Sequence, residues 1–343
     1  LLTNGKNGLP ADYPTRVVRE DPNREGLLYA GTEFGLFMSF DDGKTWKAFQ
    51  QNLPVTPVTD IKVYRNNLAV STMGRSFWIL DDISTLHSWE KSVEENITTL
   101  FKPRDTHRFR YRSFGRSDVP EYPPSSVIID YFLANEPPGD VTIDLLNSQG
   151  NVVRSYSSTS SEAENAQAQT NMSTGFFMRG GGSTTLEKSA GTHRFRWDLR
   201  HTGAWDINPR RAFRNGPLAA PDRYTIRMTI DRKEYKQTFQ LMADPRIKES
   251  GVTSQDLIEQ ENLALQVRDL LTSARKLAEE KSSNKLAESY QALVTDDGPY
   301  PQPMLVDQIQ YLASMLNQAD QLPGKDAYDR FKELKEELEL LMK

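Results

Sequence analysis

The spacing of apolar positions changes character along the chain. Up to residue 85, short apolar or alternating runs at 27–30, 35–40, 61–64, 68–71 and 76–80 are broken by Asp21-Pro22-Asn23, Asp41-Asp42-Gly43 and Arg65-Asn66-Asn67. A period of two with polar breaks predicts strands. Residues 86–124, with Trp89, Leu100, Phe101 and Pro103, read as a connector. Between 125 and 245 the alternation returns at 127–133, 141–146, 152–156, 193–199, 224–230 and 235–241, with turns at Pro137-Pro138-Gly139, Asn147-Ser148-Gln149-Gly150 and Asp231-Arg232-Lys233. Six such strands predict an antiparallel β-sandwich of Ig-like kind. From 246 onward the spacing lengthens to threes and fours: Leu263, Val267, Leu270, Ala274, Leu277; then Leu305, Ile309, Leu312, Leu316, Ala319; then Phe331, Leu334, Leu338, Leu341. Thr253 and Asp256 mark a helix start, a short helix is expected around 286–293, and the region 246–343 reads as a helical bundle.

Two stretches interrupt this plan. The segment 157–190 is polar and without period, too long for an ordinary loop inside a compact domain, and is expected to contribute no core. Within it Phe176, Phe177 and Met178 form an apolar triplet flanked by polar sequence. It reads either as a docking peptide or as residues tucked into the sandwich edge. Gly180-Gly181-Gly182 is no phosphate cradle, since neither Lys-Ser/Thr nor a helix start follows it. The other stretch, Arg104, Arg108, Arg110, Arg112 and Arg116 interleaved with Phe109, Tyr111 and Phe114, has the period of a strand with arginines on its solvent face.

Composition narrows the chemistry. The 343 residues are 37% hydrophobic and 26% charged, a folded chain with room for more than one domain. Lys plus Arg number 42 against 47 Asp plus Glu, a net charge of -5, so there is no overall basic field and nucleic acid is not an expected partner. No apolar run approaches the roughly 20 residues that span a bilayer. With no Cys there is neither disulfide nor thiolate, and four His leave few metal ligands; no cofactor and no metal site are expected.

One motif is specific. Ser39-Phe40-Asp41-Asp42-Gly43-Lys44-Thr45-Trp46 fits S-x-D-x-G-x-T-W at Ser39, Asp41, Gly43, Thr45 and Trp46. The types suit a tight hairpin: Asp41 accepts backbone N–H bonds, Gly43 takes a positive φ, and Trp46 packs beneath. It resembles the Asp-box (BNR repeat) of bacterial sialidases, sortilin-type receptors and xyloglucanase-like propellers, where the box is structural and peripheral. The run 28–37, the box, and Ala69-Val70-Ser71-Thr72-Met73-Gly74-Arg75-Ser76-Phe77-Trp78 are together similar to the last two blades of large bacterial propeller proteins often labelled glycosyl hydrolases. Met73 stands where those relatives carry His. Trp197-Asp198-Leu199-Arg200 and Pro221-Asp222-Arg223-Tyr224 are similar to a W-D-L-R and A-P-G-x-Y pair in the same proteins, with Asp222 in the turn.

The resemblance implies that residues 1–85 are terminal β-propeller blades. A propeller closes with at least four blades of about 40 to 50 residues, and 85 residues supply at most two. The chain opens Leu1-Leu2-Thr3 without an initiator Met or a signal segment, and the start is expected to have been removed by processing or truncation. Partners implied are the remaining blades or another protein chain; ligands implied are a glycan or a peptide, and the location implied is exported: periplasm, cell surface or secreted.

No catalytic residues are assigned. Glu33, Asp60, Asp81 and Asp82 are the acids of the first region, and a glycosidase needs two carboxylates facing one sugar. No serine lies in a nucleophile elbow. His193 and His201 flank Trp197 without metal-ligand spacing. The expected function is non-catalytic binding or scaffolding by the C-terminal portion of an exported propeller protein. The alternatives are part of a glycoside hydrolase whose site lies mainly in other blades, and a sortilin-like peptide receptor.

Overall fold

The computed structural model describes residues 7–110, 125–159, 185–284 and 286–343 and is a mixed β plus α structure. The chain divides into two compact units, Leu1–Arg104 with Asp130–Ala134, and Asp105–Ile129 with Asn135–Lys343.

Unit one contains two antiparallel meanders. The first is β1 (Thr15–Glu20), β2 (Leu28–Thr32), β3 (Gly35–Ser39) and β4 (Lys47–Ala48), paired in chain order; the second is β5 (Val58–Tyr64), β6 (Asn67–Thr72) and β7 (Phe77–Leu80), also in chain order. The β5–β6 turn has two residues, Arg65 and Asn66, both at positive φ, the geometry that matches strand twist in a tight hairpin. A common core of Val17, Leu27, Tyr29, Leu36, Val58, Ile61, Leu68 and Val70 joins the sheets. They approach closely at Gly31, where a Cβ would lie 2.5 Å from Val58 Cγ1 and 2.7 Å from Val17 Cγ1. Helix α1 (Leu86–Glu94) follows β7, and Trp89 stacks on Phe40 at 5.4 Å. Strand β8 (Thr99–Leu100) pairs with Phe132 and Tyr131. Strands β1 and β4 lie outside the predicted runs: β1 buries only Val17 and β4 buries neither residue, so neither leaves a hydrophobic alternation to read.

Unit two is built on a five-stranded sheet, in spatial order β12 (Val152–Ser157), β11 (Val141–Leu146), β14 (Asp222–Ile230), β15 (Lys233–Met242) and β9 (Thr106–His107), the last parallel to β15. Along β14, Tyr224, Ile226, Met228 and Ile230 are buried in strict alternation. Strand β13 (Gly191–Trp197) supplies a facing layer: buried Trp197 lies 5.3 Å from Tyr224 and 6.3 Å edge-on from Phe239. Strand β10 (Val127–Leu133) contributes buried Val127 and Ile129.

Among the described residues the helices of unit two are α2 (Pro245–Glu249), α3 (Ser254–Glu280), α4 (Glu288–Gln291), α5 (Leu305–Leu316) and α6 (Lys325–Leu341), with a 3-10 turn at Lys281–Asn284. The α3 start is a full capping box: Thr253 Oγ1 accepts from Asp256 N at 3.1 Å, and Asp256 Oδ2 accepts from Thr253 N at 2.8 Å. Leu263, Val267, Leu270, Ala274, Leu305, Ile309, Leu312, Leu316, Leu334 and Leu338 form one core. Ala319, placed by spacing on the second helix, lies beyond its end, and Leu286 is exposed.

Two expectations are corrected here. Arg108 is not on a solvent face: it is 1% exposed, donating to Asp320 Oδ1 at 2.6 Å and to Ala219 O at 2.7 Å, because β9 ends at His107 and the backbone leaves the two-residue period. Arg112, Arg116, Tyr111 and Phe114 lie outside the described residues. The segment 157–190 also contributes to the fold at its ends. Ser157 closes β12, it bridges Thr185, and Leu186 is buried; one aliphatic among polar neighbours left no periodic signal.

Candidate functional site

The segment Ser39–Trp46 leaves β3 and enters β4 through a turn wired by its own side chains. Ser39 Oγ donates to Asp41 Oδ1 at 2.8 Å and accepts from Gly43 N at 2.9 Å. Asp41 also accepts from Thr45 N at 2.8 Å and from Thr45 Oγ1 at 2.7 Å. Trp46 is buried against Leu9, Ala30 and Phe37, and its Nε1 donates to Gly43 O at 3.1 Å. Asp42 and Gly43 both take positive φ, 60° and 78°, which a Gly tolerates without cost and an Asp with little. Burial alone raises the Asp41 pKa, but the bonds from Thr45 and Ser39 together outweigh it and hold the carboxyl below its ordinary range. All five motif residues thus meet in one hydrogen-bonded knot.

The acids of the same unit are engaged separately. Glu33 pairs with Arg16 at 2.5 Å, Asp60 with Arg19 at 2.7 Å, and Asp82 accepts from Ser84 N and Oγ at the close of β7. These are the roles of surface ion pairs and a turn cap. Phe176, Phe177 and Met178 lie outside the described residues. In unit two, His201 Nε2 meets Glu261 Oε1 at 2.7 Å, and Glu261 also accepts from Ala220 N; His193 Nε2 meets Ser189 O at 2.7 Å. Among the described residues no cluster of three or more His, Asp or Glu is arranged to hold a metal ion, and no helix is long and apolar enough to cross a membrane.

The Trp197–Arg200 run was singled out by sequence, but the arginine cavity beside it was not. Trp197-Asp198-Leu199-Arg200 folds into a turn in which Leu199 takes φ 61°, Asp198 Oδ1 accepts from Arg200 N at 3.2 Å, and Trp197 Nε1 donates to Arg200 O at 3.0 Å. The turn sends Arg200 into a cavity of about 510 Å³ that is also lined by Arg210, Arg211, Arg214, Arg268 and Arg275. The available signal was the density of arginine between 200 and 214; the contribution of α3 was invisible because 50 or more residues intervene. A larger cavity, about 800 Å³, opens between α5 and α6 beside Tyr311, Met315, Pro301 and Pro323.

No family model matches the chain, and no curated protein matches it. Among solved structures it is similar to PorZ, described as an essential bacterial surface component of the type-IX secretion system of Porphyromonas gingivalis, at 11% identity and a TM-score of 0.21. That likeness covers 67% of this chain and 23% of PorZ, and at that score it carries no argument about this molecule. The chain therefore spans about a quarter of the length of the structure it matches.

Proposed function

We propose that this chain is a non-catalytic binding and scaffolding portion of an exported bacterial β-propeller protein, with two blades, an Ig-like sandwich and a helical bundle. The observation that carries the reading is the Ser39–Trp46 knot seated at the β3–β4 corner of a four-stranded meander, with a second meander packed against the first. Successive antiparallel meanders sharing one core are how blades stack. Two blades do not close a ring, and the second sheet leaves apolar side chains bare: on β7, Phe77 is 82% and Ile79 67% exposed. A neighbouring blade, on this protein or a partner chain, is the natural cover for such an edge. The facing of Trp197 onto Tyr224 and Phe239 supports the Ig-like sandwich reading of unit two. Exported location, and a glycan or peptide as ligand, follow from the motif resemblance.

The reading is tested on the chain alone by light scattering and by hydrolysis assays. Self-association at tens of micromolar, abolished by the Phe77→Ser/Ile79→Ser double variant, is expected; a monomeric wild-type chain with unchanged behaviour in the variant would refute the open-blade reading. Aryl glycosides and polysaccharides should be turned over at background rates. Activity lost in Asp81→Asn or Asp82→Asn would overturn the scaffold assignment.

A further inference from the structure

The cavity beside the Trp197–Arg200 turn is a built feature rather than a chance crowding of arginines. One wall is the segment 200–217, which doubles back on itself: His201 N donates to Pro217 O at 2.9 Å, Gly203 N to Phe213 O at 3.0 Å, and Phe213 N to Ala204 O at 2.9 Å. The fold-back is tight enough to demand glycine. A Cβ on Gly203 would sit 2.0 Å from Arg214 O, and one on Gly216 2.0 Å from His201 O. A second wall is α3, where Arg268 and Arg275, two turns apart, project from one face, and Gln310, Ala313 and Ser314 of α5 with Asn317 complete the lining.

Three of the guanidinium groups donate to backbone oxygens. Arg200 Nη1 donates to Gly216 O at 2.9 Å, Arg268 Nη1 to Thr202 O at 3.2 Å, and Arg275 Nη1 to Trp205 O at 3.2 Å. Carbonyls fix direction without neutralising charge. Carboxylates nearby are shared or peripheral: Asp206 serves both Arg211 and Arg275, Asp269 pairs with Arg268 on its exposed side, and Asp198 acts on Arg200 from outside the cavity. Among the described residues, no carboxylate lines the cavity. Burial pulls the Arg200 guanidinium below its usual range; Asp198 opposes this, and repulsion from Arg110 and Arg108 adds to it. Six arginines thus line one cavity beside three described carboxylates, Asp206, Asp269 and Asp198, so in a chain of net charge -5 this is a locally positive surface that suits an anion.

We propose that this cavity binds a small ligand bearing tetrahedral oxyanion groups, phosphate or sulfate. The arginines arrive from two separate walls, so their N–H donors converge from different directions; a tetrahedral oxyanion offers acceptors in all of them, whereas a planar carboxylate meets one fork at a time. The volume, about 510 Å³, admits more than one such group.

The test is isothermal titration of the full chain at low salt with inorganic pyrophosphate, inorganic sulfate and citrate as separate probes. Saturable 1:1 binding of pyrophosphate or sulfate is expected, weakened at least about tenfold in Arg200→Gln, since a hydrogen bond to a charged group is worth about 1.5 to 3 kcal/mol. Arg210→Gln changes an exposed side chain and is expected to keep the wild-type melting temperature while weakening binding. Preference for pyrophosphate identifies phosphate as the ligand chemistry, and preference for sulfate identifies sulfate. Absence of saturable heat for both at millimolar concentration, equal affinity in every arginine variant, or citrate bound as tightly as either, would overturn the proposal.

Discussion

Asp320 lies beyond the end of α5 yet holds a segment more than two hundred residues earlier in the chain. Its Oδ1 accepts from Arg108 Nη2 at 2.6 Å and from Arg110 Nε at 2.7 Å, with side-chain exposures of 1% for Arg108 and 3% for Asp320. Among the described residues Arg108 Nε is buried without a hydrogen-bond partner and Arg108 Nη1 donates to Ala219 O, so Asp320, with a smaller contribution from Glu261, supplies the compensating charge. Breaking one side of such a pair costs about 3 to 5 kcal/mol, because the remaining charge stays buried. For a unit of this size each kcal/mol moves the melting temperature by about 2 to 4 °C. Asp320→Ala should therefore lower the unit-two transition by about 6 to 20 °C in differential scanning calorimetry. Arg108→Met/Asp320→Leu removes both charges, leaving Arg110, which at 20% exposure reaches water; at least half the loss should return. A shift below about 2 °C in Asp320→Ala, or a double variant no better than the single, would refute the assignment of this pair as the tie between β9 and the helices.

Three further outcomes follow from particular contacts. Gly31→Ala should destabilise unit one by about 1 to 3 kcal/mol in urea unfolding, since its Cβ would overlap Val58 and Val17 at the sheet interface. Thr253→Ala should cost about 1 kcal/mol by the same measurement, seen as faster amide exchange in the first turn of α3, because the capping box is lost. The Asp41 carboxyl, held below its ordinary range, contributes stability that is present above the unfolded value near 3.9 and is lost as pH falls through the lower folded value. Wild type and Asp41→Asn should accordingly differ most in melting temperature at pH 5 and converge as the pH is taken towards 2.

How much of this was legible in the chain depended on the range over which each feature is decided. The Ser39–Trp46 knot closes within eight residues, so residue types and spacing already gave Asp41 as an acceptor of backbone N–H, a positive φ at Gly43 and Trp46 packed beneath, while the Ser39 and Trp46 Nε1 bonds came only with the structure. The alternation of β14 and the capping box of α3 are equally local: one needs a period of two, the other a Thr and an Asp three apart. Strand β1 escaped because edge pairing to β2 holds it with a single buried side chain, and pairing through backbone leaves no trace in residue type. Arg108 read as a surface residue because sequence carries no mark of Asp320; only the fold brings them together, and burial then reverses the meaning of the same side chain. The arginine cavity belongs to that class too. Its loop half was written in a dense local run, but convergence with Arg268 and Arg275 exists only once α3 lies against the fold-back at 200–217, since like charges so far apart in sequence meet by tertiary packing alone.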